Sequence, residues 1–215
     1  LTVANNFLMV TMQRGNDLYI LEPLPNEVNP NQEDLYILYK SGDVIQSGDP
    51  VVCGSNEFKK QQEELEKNPI RARNIPCVDV EIGLACDWGY VERHRGMGGA
   101  QNFMTAIMNY CQTNWDDDFQ VQISFAISGF YIPADQASDI FDRAMSIMEH
   151  LNLLIGNASS ILPPHDVATG WTTDYTSGIV GLAAGIGTVC LPSEQYNICS
   201  EYSMDFGCLR QLQSH

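Results

Sequence analysis

Residues 78–85 read VDVEIGLA, and their apolar and polar side chains alternate with a period of two. This spacing places Val78, Val80, Ile82 and Leu84 on one face of a predicted β-strand. From this stretch onward the chain alternates predicted strands with predicted helices. That order predicts an α/β fold built on a mostly parallel, twisted sheet with right-handed crossovers.

The helices and strands that follow are predicted from periodicity. The helix at 99–115 carries Phe103, Ile107, Met108 and Cys111 at helical spacing. A second amphipathic helix is predicted at 137–155, with Asp135 or Ser138 as its N-cap. Further strands are predicted at 119–132, at about 165–169 and at 178–184, and a last helix begins at 204. The strand at 178–184 is rich in glycine and is predicted to be exposed.

The first part of the chain predicts β-structure of a different kind. Apolar runs at 7–12 and 18–21 flank RGND at 14–17, a sequence typical of a hairpin turn. Residues 34–40, DLYILYK, predict a third strand, and the polar run at 57–67 predicts a helix or a solvated tether. Residues 1–45 are therefore expected to form a β-rich unit.

The charge balance argues against two classes of partner. The chain of 215 residues has 27 acidic and 11 basic side chains, a net charge of −16. Binding to nucleic acid or to anionic lipid needs basic surface, so neither partner is expected. No apolar run approaches the roughly 20 residues that cross a bilayer.

A change in composition near residue 70 predicts a domain boundary. Residues 1–73 carry 11 acids and 7 bases, whereas residues 74–215 carry 16 acids and 4 bases. We therefore expect one domain in 1–73 and a second in 74–215. Arg73 is a candidate processing site, although an ordinary linker explains it equally well. Because the chain begins at Leu1 and ends at His215, it is expected to be a fragment of a longer protein.

The cysteine count favours a secreted protein. One of the seven cysteines, Cys53, lies in the first segment and six lie in the second. Six cysteines are enough for three disulfides, and this density is uncommon where thiols stay reduced. Buried thiols in a cytosolic protein are the alternative.

Several familiar catalytic patterns are missing from the sequence. It contains no G-x-S-x-G motif, no P-loop lysine motif and no pair of histidines four residues apart. His150 is predicted to lie on a helix surface, and His165 to make a structural hydrogen bond. The glycines at 96–99 predict a loop, and the aspartates at 116–118 predict a solvated turn.

Taken together, several segments resemble the metzincin zinc endopeptidases, in particular the adamalysin/reprolysin branch. The similar segments are VDVEIGLACD at 78–87, the strand at 119–132, HDVATG at 165–170, IVGLAAGIGTVC at 179–190 and CLRQLQSH at 208–215. In this resemblance 179–190 is the family's antiparallel edge strand. His215 matches the first histidine of the family's H-E-x-x-H-x-x-G-x-x-H zinc helix.

A resemblance also extends to the first segment. Residues 49–56, DPVVCGSN, are similar to the cysteine switch at the end of the family's prodomain, and 1–45 resemble the preceding pro-region. This resemblance gives Cys53 a role, because its thiolate would occupy the open fourth position of a catalytic zinc ion.

The resemblance implies a secreted, zinc-dependent endopeptidase zymogen that acts on protein or peptide substrates. One Zn²⁺ ion would be held by His215 and later histidines, with Cys53 as the inhibitory ligand. The general-base glutamate is expected just after His215, so this chain alone is expected to be inactive. A peptide would lie extended along Gly181, Leu182 and Ala183 and pair with the strand edge.

Two other functions fit the same residues. The first is a non-catalytic, metzincin-like module used for binding or adhesion, with a degenerate zinc motif. The second is an unrelated acidic α/β binding domain. A position of residues 178–184 in the centre of the sheet, or of Cys53 far from the His215 helix, would favour this last hypothesis.

Overall fold

A computed structural model describes residues 1–4, 7–15, 17–24, 28–31, 34–44, 52–53, 78–119, 123–173, 179–185 and 194–201. These residues form a four-stranded antiparallel sheet and a six-stranded, mostly parallel sheet. Helices pack on both faces of the second sheet. The predicted α/β fold class is therefore confirmed.

The four-stranded sheet, called here the N-terminal sheet, follows the order of the chain. Its strands are β1 (Thr2–Ala4), β2 (Phe7–Arg14), β3 (Asp17–Pro23) and β4 (Tyr36–Lys40). The predicted hairpin is confirmed, since Arg14 pairs with Asp17 and Gly15 takes the left-handed conformation with φ at 62°. Strand β1 was not predicted, because three residues are too few to show a period. A single turn of 3-10 helix, Ser41–Asp43, follows β4.

The six-stranded sheet, called here the large sheet, has the order β5-β9-β10-β8-β6-β7. Its strands are β5 (Val52–Cys53), β6 (Val78–Cys86), β7 (Ile123–Tyr131), β8 (Val167–Thr172), β9 (Ile179–Ala183) and β10 (Tyr196–Ser200). Every neighbouring pair is parallel except β9 and β10, which are antiparallel. Strand β10 was not predicted from the sequence.

Three α-helices connect these strands: α1 (Trp88–Arg93), α2 (Met97–Phe119) and α3 (Ile147–Ile161). Helix α2 confirms the prediction at 99–115 and is longer at both ends. The predicted loop at 96–99 is wrong because α2 already begins at Met97. The predicted turn at 116–118 is also wrong, since the helix continues to Phe119.

The prediction of a helix at 137–155 is wrong for the first half of this range. Only one 3-10 turn, Gln136–Ser138, forms there, and α3 begins at Ile147. The Asp139 carboxylate accepts hydrogen bonds from the backbone of Trp88 and Phe141, at 2.9 and 2.8 Å. Short polar side chains of this kind compete with helical hydrogen bonding, and here they hold the chain in another path.

The predicted cap of this helix is wrong, because Asp135 and Ser138 act on another element. Asp135 and Ser138 form a reciprocal capping box, but it closes the 3-10 turn. Ser146 caps α3, because its hydroxyl accepts a hydrogen bond from the Glu149 backbone.

Two apolar layers cover the faces of the large sheet. The layer on the α2 side includes Ile82 and Leu84, which confirms the predicted apolar face of β6. The layer on the other side joins Ala85 to α3 residues such as Leu154. The N-terminal sheet contributes to the α2-side layer through Phe7, Met9 and Ile20.

The side chain of Gln112 ties α2 to the edge strand β7. Its amide nitrogen donates to the Ile123 carbonyl at 2.9 Å, and its amide oxygen accepts from the Phe125 backbone at 2.6 Å. The ring of Trp115 meets Phe125 edge to face at 5.1 Å. One turn of α2 therefore fixes the position of the start of β7.

The junction between α1 and α2 supplies a test of the packing. A Cβ atom at Gly99 would lie 1.6 Å from the His94 carbonyl oxygen, whereas one at Gly98 would meet nothing within 4 Å. We expect Gly99→Ala to destabilise the fold by about 3 kcal/mol or more, since backbone must move. Gly98→Ala should stabilise it by about 0.5–1 kcal/mol. Thermal unfolding of the two variants, followed by circular dichroism, measures both effects, and equal melting temperatures would contradict this packing.

Candidate functional site

The predicted peptide-binding residues lie on β9. Gly181 is buried, and Leu182 and Ala183 are half-buried. On one side of β9, Gly181 pairs with Cys199 and Leu182 pairs with Ile198 of β10. Leu182 also packs against the α3-side core, so its side chain helps to anchor the strand.

The other side of β9 pairs with β5. This short strand runs parallel to β9, with Val52 opposite Ile179 and Cys53 opposite Gly181. The pairing shifts register between Val52 and Cys53. The structure thus brings two of the predicted site positions, Cys53 and Gly181, next to each other although 128 residues separate them in the chain.

The predicted exposure of this strand is wrong, because every residue of β9 is buried or half-buried. Strand β9 runs antiparallel to β10, as the resemblance implied, and β5 runs in the same direction as β9. Strand β9 is second from the edge, because the two residues of β5 cover part of its outer side. Residues 179–183 are therefore not in the centre of the sheet.

The zinc site that the resemblance implies is not assembled by the described residues. Among them, no group of three or more His, Cys, Asp and Glu side chains is close enough to hold a metal ion. His215 lies outside the described ranges, and only the backbone of Cys53 falls within them. The pairing of His215 with Cys53 remains a prediction.

A buried polar cluster, not predicted from the sequence, occupies the carboxyl ends of the parallel strands. Asp87 follows β6 directly and is 5% exposed. Its carboxylate accepts hydrogen bonds from the Tyr90 backbone at 2.7 Å and from the Thr172 hydroxyl. His150 Nε2 lies 3.6 Å from the same carboxylate. The prediction that His150 is a surface residue is wrong, since it is 3% exposed and faces Asp87.

The geometry of this cluster indicates a structural role. Thr172 and His150 both approach the Oδ2 atom of Asp87, so the carboxylate lies between the hydroxyl and the imidazole. A nucleophilic triad needs the imidazole in the middle, where it takes the hydroxyl proton. All three side chains are also buried, which leaves no room for a substrate.

A second buried group of charges surrounds Glu201, which follows β10. Glu201 is 3% exposed, and its carboxylate lies 2.7 Å from His94 Nε2 and 3.4 Å from Arg93 Nε. Arg93 also donates to the Glu201 carbonyl at 3.2 Å. The Glu201 backbone donates to the Thr172 carbonyl at 2.7 Å. These contacts fix the chain at the end of β10.

The interior around these charges strongly disfavours ionisation of neutral groups. Burial raises the pKa of Tyr90 well above its ordinary value, and the Glu201 carboxylate acts in the same direction. Burial also raises the pKa of the Cys86 thiol, with Asp87 as a further cause. The charged groups that do lie here must therefore be paired.

His165 has the hydrogen-bonding role that the sequence suggested. Its Nδ1 atom lies 2.7 Å from the Pro163 carbonyl oxygen. The neighbouring Asp166 carboxylate accepts from the Glu81 backbone at 2.9 Å. Both residues thus hold the chain at the entry to β8 and are not brought together with Cys53 or Gly181.

The cysteines require a correction. Cys86 is a free, buried cysteine, so three disulfides cannot form among the six cysteines of the second segment. Cys111 and Cys199 are also buried. These three side chains fill the apolar layer beside α2, where cysteine behaves as a small hydrophobic residue.

No model of a known protein family matches this sequence, and no curated protein matches it. Among solved structures, the chain is similar to metalloproteinase-II from Bacteroides fragilis, with 13% identity and a TM-score of 0.49. That match covers 92% of this chain and 61% of the other.

A second similar structure is a chain from a chaperone–substrate complex, with 13% identity and a TM-score of 0.49. The match covers 66% of this chain and 24% of the other, so this chain spans less than two thirds of either neighbour. Separately, none of the helices described here is long and apolar enough to cross a membrane.

The buried charges around Glu201 predict a large stability effect. Glu201→Gln leaves His94 and Arg93 without their carboxylate, and we expect a loss of about 3 kcal/mol or more in unfolding free energy. Glu92→Gln, an exposed change on α1, should stay within about 0.5 kcal/mol. Urea unfolding of both variants measures the difference, and equal midpoints would contradict a buried ionic cluster.

The burial of the thiols predicts their reactivity. Cys86, Cys111 and Cys199 should resist alkylation by iodoacetamide at pH 8 in the folded chain, because all three side chains are buried. Burial also raises the pKa of Cys86, so this thiol forms little thiolate. All three should react once the chain is unfolded in urea. Peptide mapping by mass spectrometry identifies the labelled residues, and rapid native labelling of Cys86 would show that this core is open.

Proposed function

We propose that this chain is part of a secreted, zinc-dependent endopeptidase zymogen that binds an extended peptide along β9. The segment containing Cys53 holds this edge in the latent form. The observation that carries the proposal is the pairing of β5 with β9, which puts Cys53 opposite Gly181.

Strand β9 has the properties of a peptide-binding edge. Main-chain hydrogen bonds to a strand edge bind peptides of varied sequence, while alternate side chains enter neighbouring pockets. Gly181 lies in the middle of β9 and has no side chain to keep a second backbone away. On its inner side β9 is fixed by β10, so the edge is held in place before a peptide binds.

A peptide and β5 would compete for the same backbone groups. Both need the outward N–H and C=O groups of β9, so only one of them can occupy the edge at a time. Strand β5 has two residues and runs parallel to β9. Parallel pairing is slightly less stable per residue than antiparallel pairing, so a longer antiparallel peptide has the advantage once β5 is released.

Cys53 gives the latent form its chemical basis in this proposal. Its thiolate and the imidazole of His215 are the residues of this chain that would hold the zinc ion. When bound, zinc lowers the pKa of a coordinated water toward about 7 and polarises the peptide carbonyl. Because β5 places the backbone of Cys53 opposite Gly181, the chain segment that carries the thiol would have to leave β9 before a peptide could bind there.

The proposal predicts the effect of removing the thiol. In the protein extended past His215, we expect Cys53→Ser to raise the initial rate of peptide hydrolysis about tenfold or more, since one latent-state ligand is lost. Ser55→Ala, in the same segment, is the matched control and should leave the rate unchanged. Hydrolysis of a quenched fluorescent peptide gives the rate, and zinc content is measured on the same samples.

The possible outcomes separate the functions. Zinc at one ion per chain with a faster Cys53→Ser variant supports the zymogen. Peptide binding without zinc and without hydrolysis supports the non-catalytic module. Equal rates for Cys53→Ser, Ser55→Ala and the unmodified protein would rule out Cys53 as the latency residue.

A further inference from the structure

The N-terminal sheet shares an apolar core with α2. Met9 and Ile20 are 2% and 0% exposed, and both belong to the core layer that includes Ala106 and Ile107 of α2. Met9 and Ala106 also line one shallow pocket at this contact. The contact between the N-terminal sheet and α2, called here the seam, therefore has an apolar core shared by two parts of the chain.

Two hydrogen bonds flank the seam. Arg95, which precedes α2, donates from Nη2 to the Leu24 carbonyl of the N-terminal sheet at 2.6 Å. Asn109 donates from its side-chain amide to the Thr2 hydroxyl at 3.2 Å. Arg95 has φ at 63°, a left-handed conformation that is strained for a non-glycine residue. Its guanidinium therefore reaches Leu24 from a strained backbone.

Strand β5 makes a second, separate contact between the first part of the chain and the large sheet. It pairs with β9 at one edge of the large sheet, and β7 forms the other edge. Residues 41–51 connect the last strand of the N-terminal sheet to β5. A chain cut anywhere between 57 and 73 would leave β5 joined to the N-terminal sheet.

We propose that residues 1–53 remain bound to the rest of the protein after the connecting segment is cut, held by the seam and by β5. The seam and the β5–β9 pairing are joined by a short segment, so each contact keeps the other at high effective concentration. After the cut, the N-terminal sheet would be a separate polypeptide that binds to α2.

This inference rests on the proposed function only where it concerns control of the peptide-binding edge. If β9 binds peptides, cutting near Arg73 is not enough to open it, because the seam returns β5 to the edge. Activation then needs a second event that breaks the seam. Retention of residues 1–53 does not itself depend on zinc or on peptide hydrolysis.

The test uses the full 215-residue chain. Residues 60–66 are replaced by the recognition sequence of a site-specific protease, and the folded chain is cut in the absence of zinc and peptide. We expect the two pieces to elute together in size-exclusion chromatography at micromolar concentration. Separation of the unmodified pieces at tens of micromolar would overturn the proposal.

Matched variants on β2 assign retention to the seam. Met9→Asp places a carboxylate in the apolar seam, and we expect the dissociation constant of the cut pieces to rise about a hundredfold or more. Met12→Asp is the same change on the same strand at a side chain that is 55% exposed, and it should change the constant less than about threefold. Equal constants for the two variants would show that the seam does not hold the pieces.

A second variant covers the case in which Met9→Asp prevents folding of the uncut chain. Arg95→Gly accepts the left-handed backbone without strain and removes the bond to Leu24. We expect the cut N-terminal piece to leave about tenfold faster, while the uncut chain still shows its folded circular dichroism spectrum. Release at the unmodified rate would exclude Arg95 as a contact that retains this piece. Because no peptidase activity is measured, failure of the zinc proposal leaves these results interpretable.

Discussion

Helix α2 packs between two sheets, and the rest of the structure depends on this position. One side of the helix contributes Met104 and Ile107 to the core over the large sheet, and Ala106 faces the N-terminal sheet. A helix buried on two sides must be apolar over most of its circumference. Both sheets therefore share one core on this side, and a substitution in the buried part of α2 would affect the packing of both.

The carboxyl ends of the parallel strands show how polar groups are accommodated in this fold. Open α/β sheets commonly bind ligands at this edge. Here Asp87 and Glu201 already have buried partners, His150 and His94, which fix the ends of β6 and β10. The chain therefore uses this edge for its own stability, and the proposed peptide-binding region lies elsewhere, at β9 and β5.

The sequence predicted the parts of the fold that depend on local periodicity. Alternation in β6 and helical spacing in α2 were sufficient, and RGND gave the hairpin. The helix predicted over 139–146 does not form, because the Asp139 carboxylate accepts a hydrogen bond from the backbone of Trp88, a residue 51 positions away. The burial of His150 was missed for the same reason, since Asp87 is distant in sequence. Polar residues directly after apolar strands, such as Asp87, were the available signal. Nothing local indicates that Cys53 pairs with β9.

The shared burial of Met9 and Ile20 against α2 has a consequence for the nascent chain. The N-terminal sheet ends at Lys40, but the helix that covers it is complete only at Phe119. At about 5–20 residues per second, the ribosome needs roughly 4–15 s to make the intervening segment. During this interval the apolar face of the sheet lacks the helix that covers it in the folded protein, so the newly made strands keep an exposed apolar surface until α2 is complete.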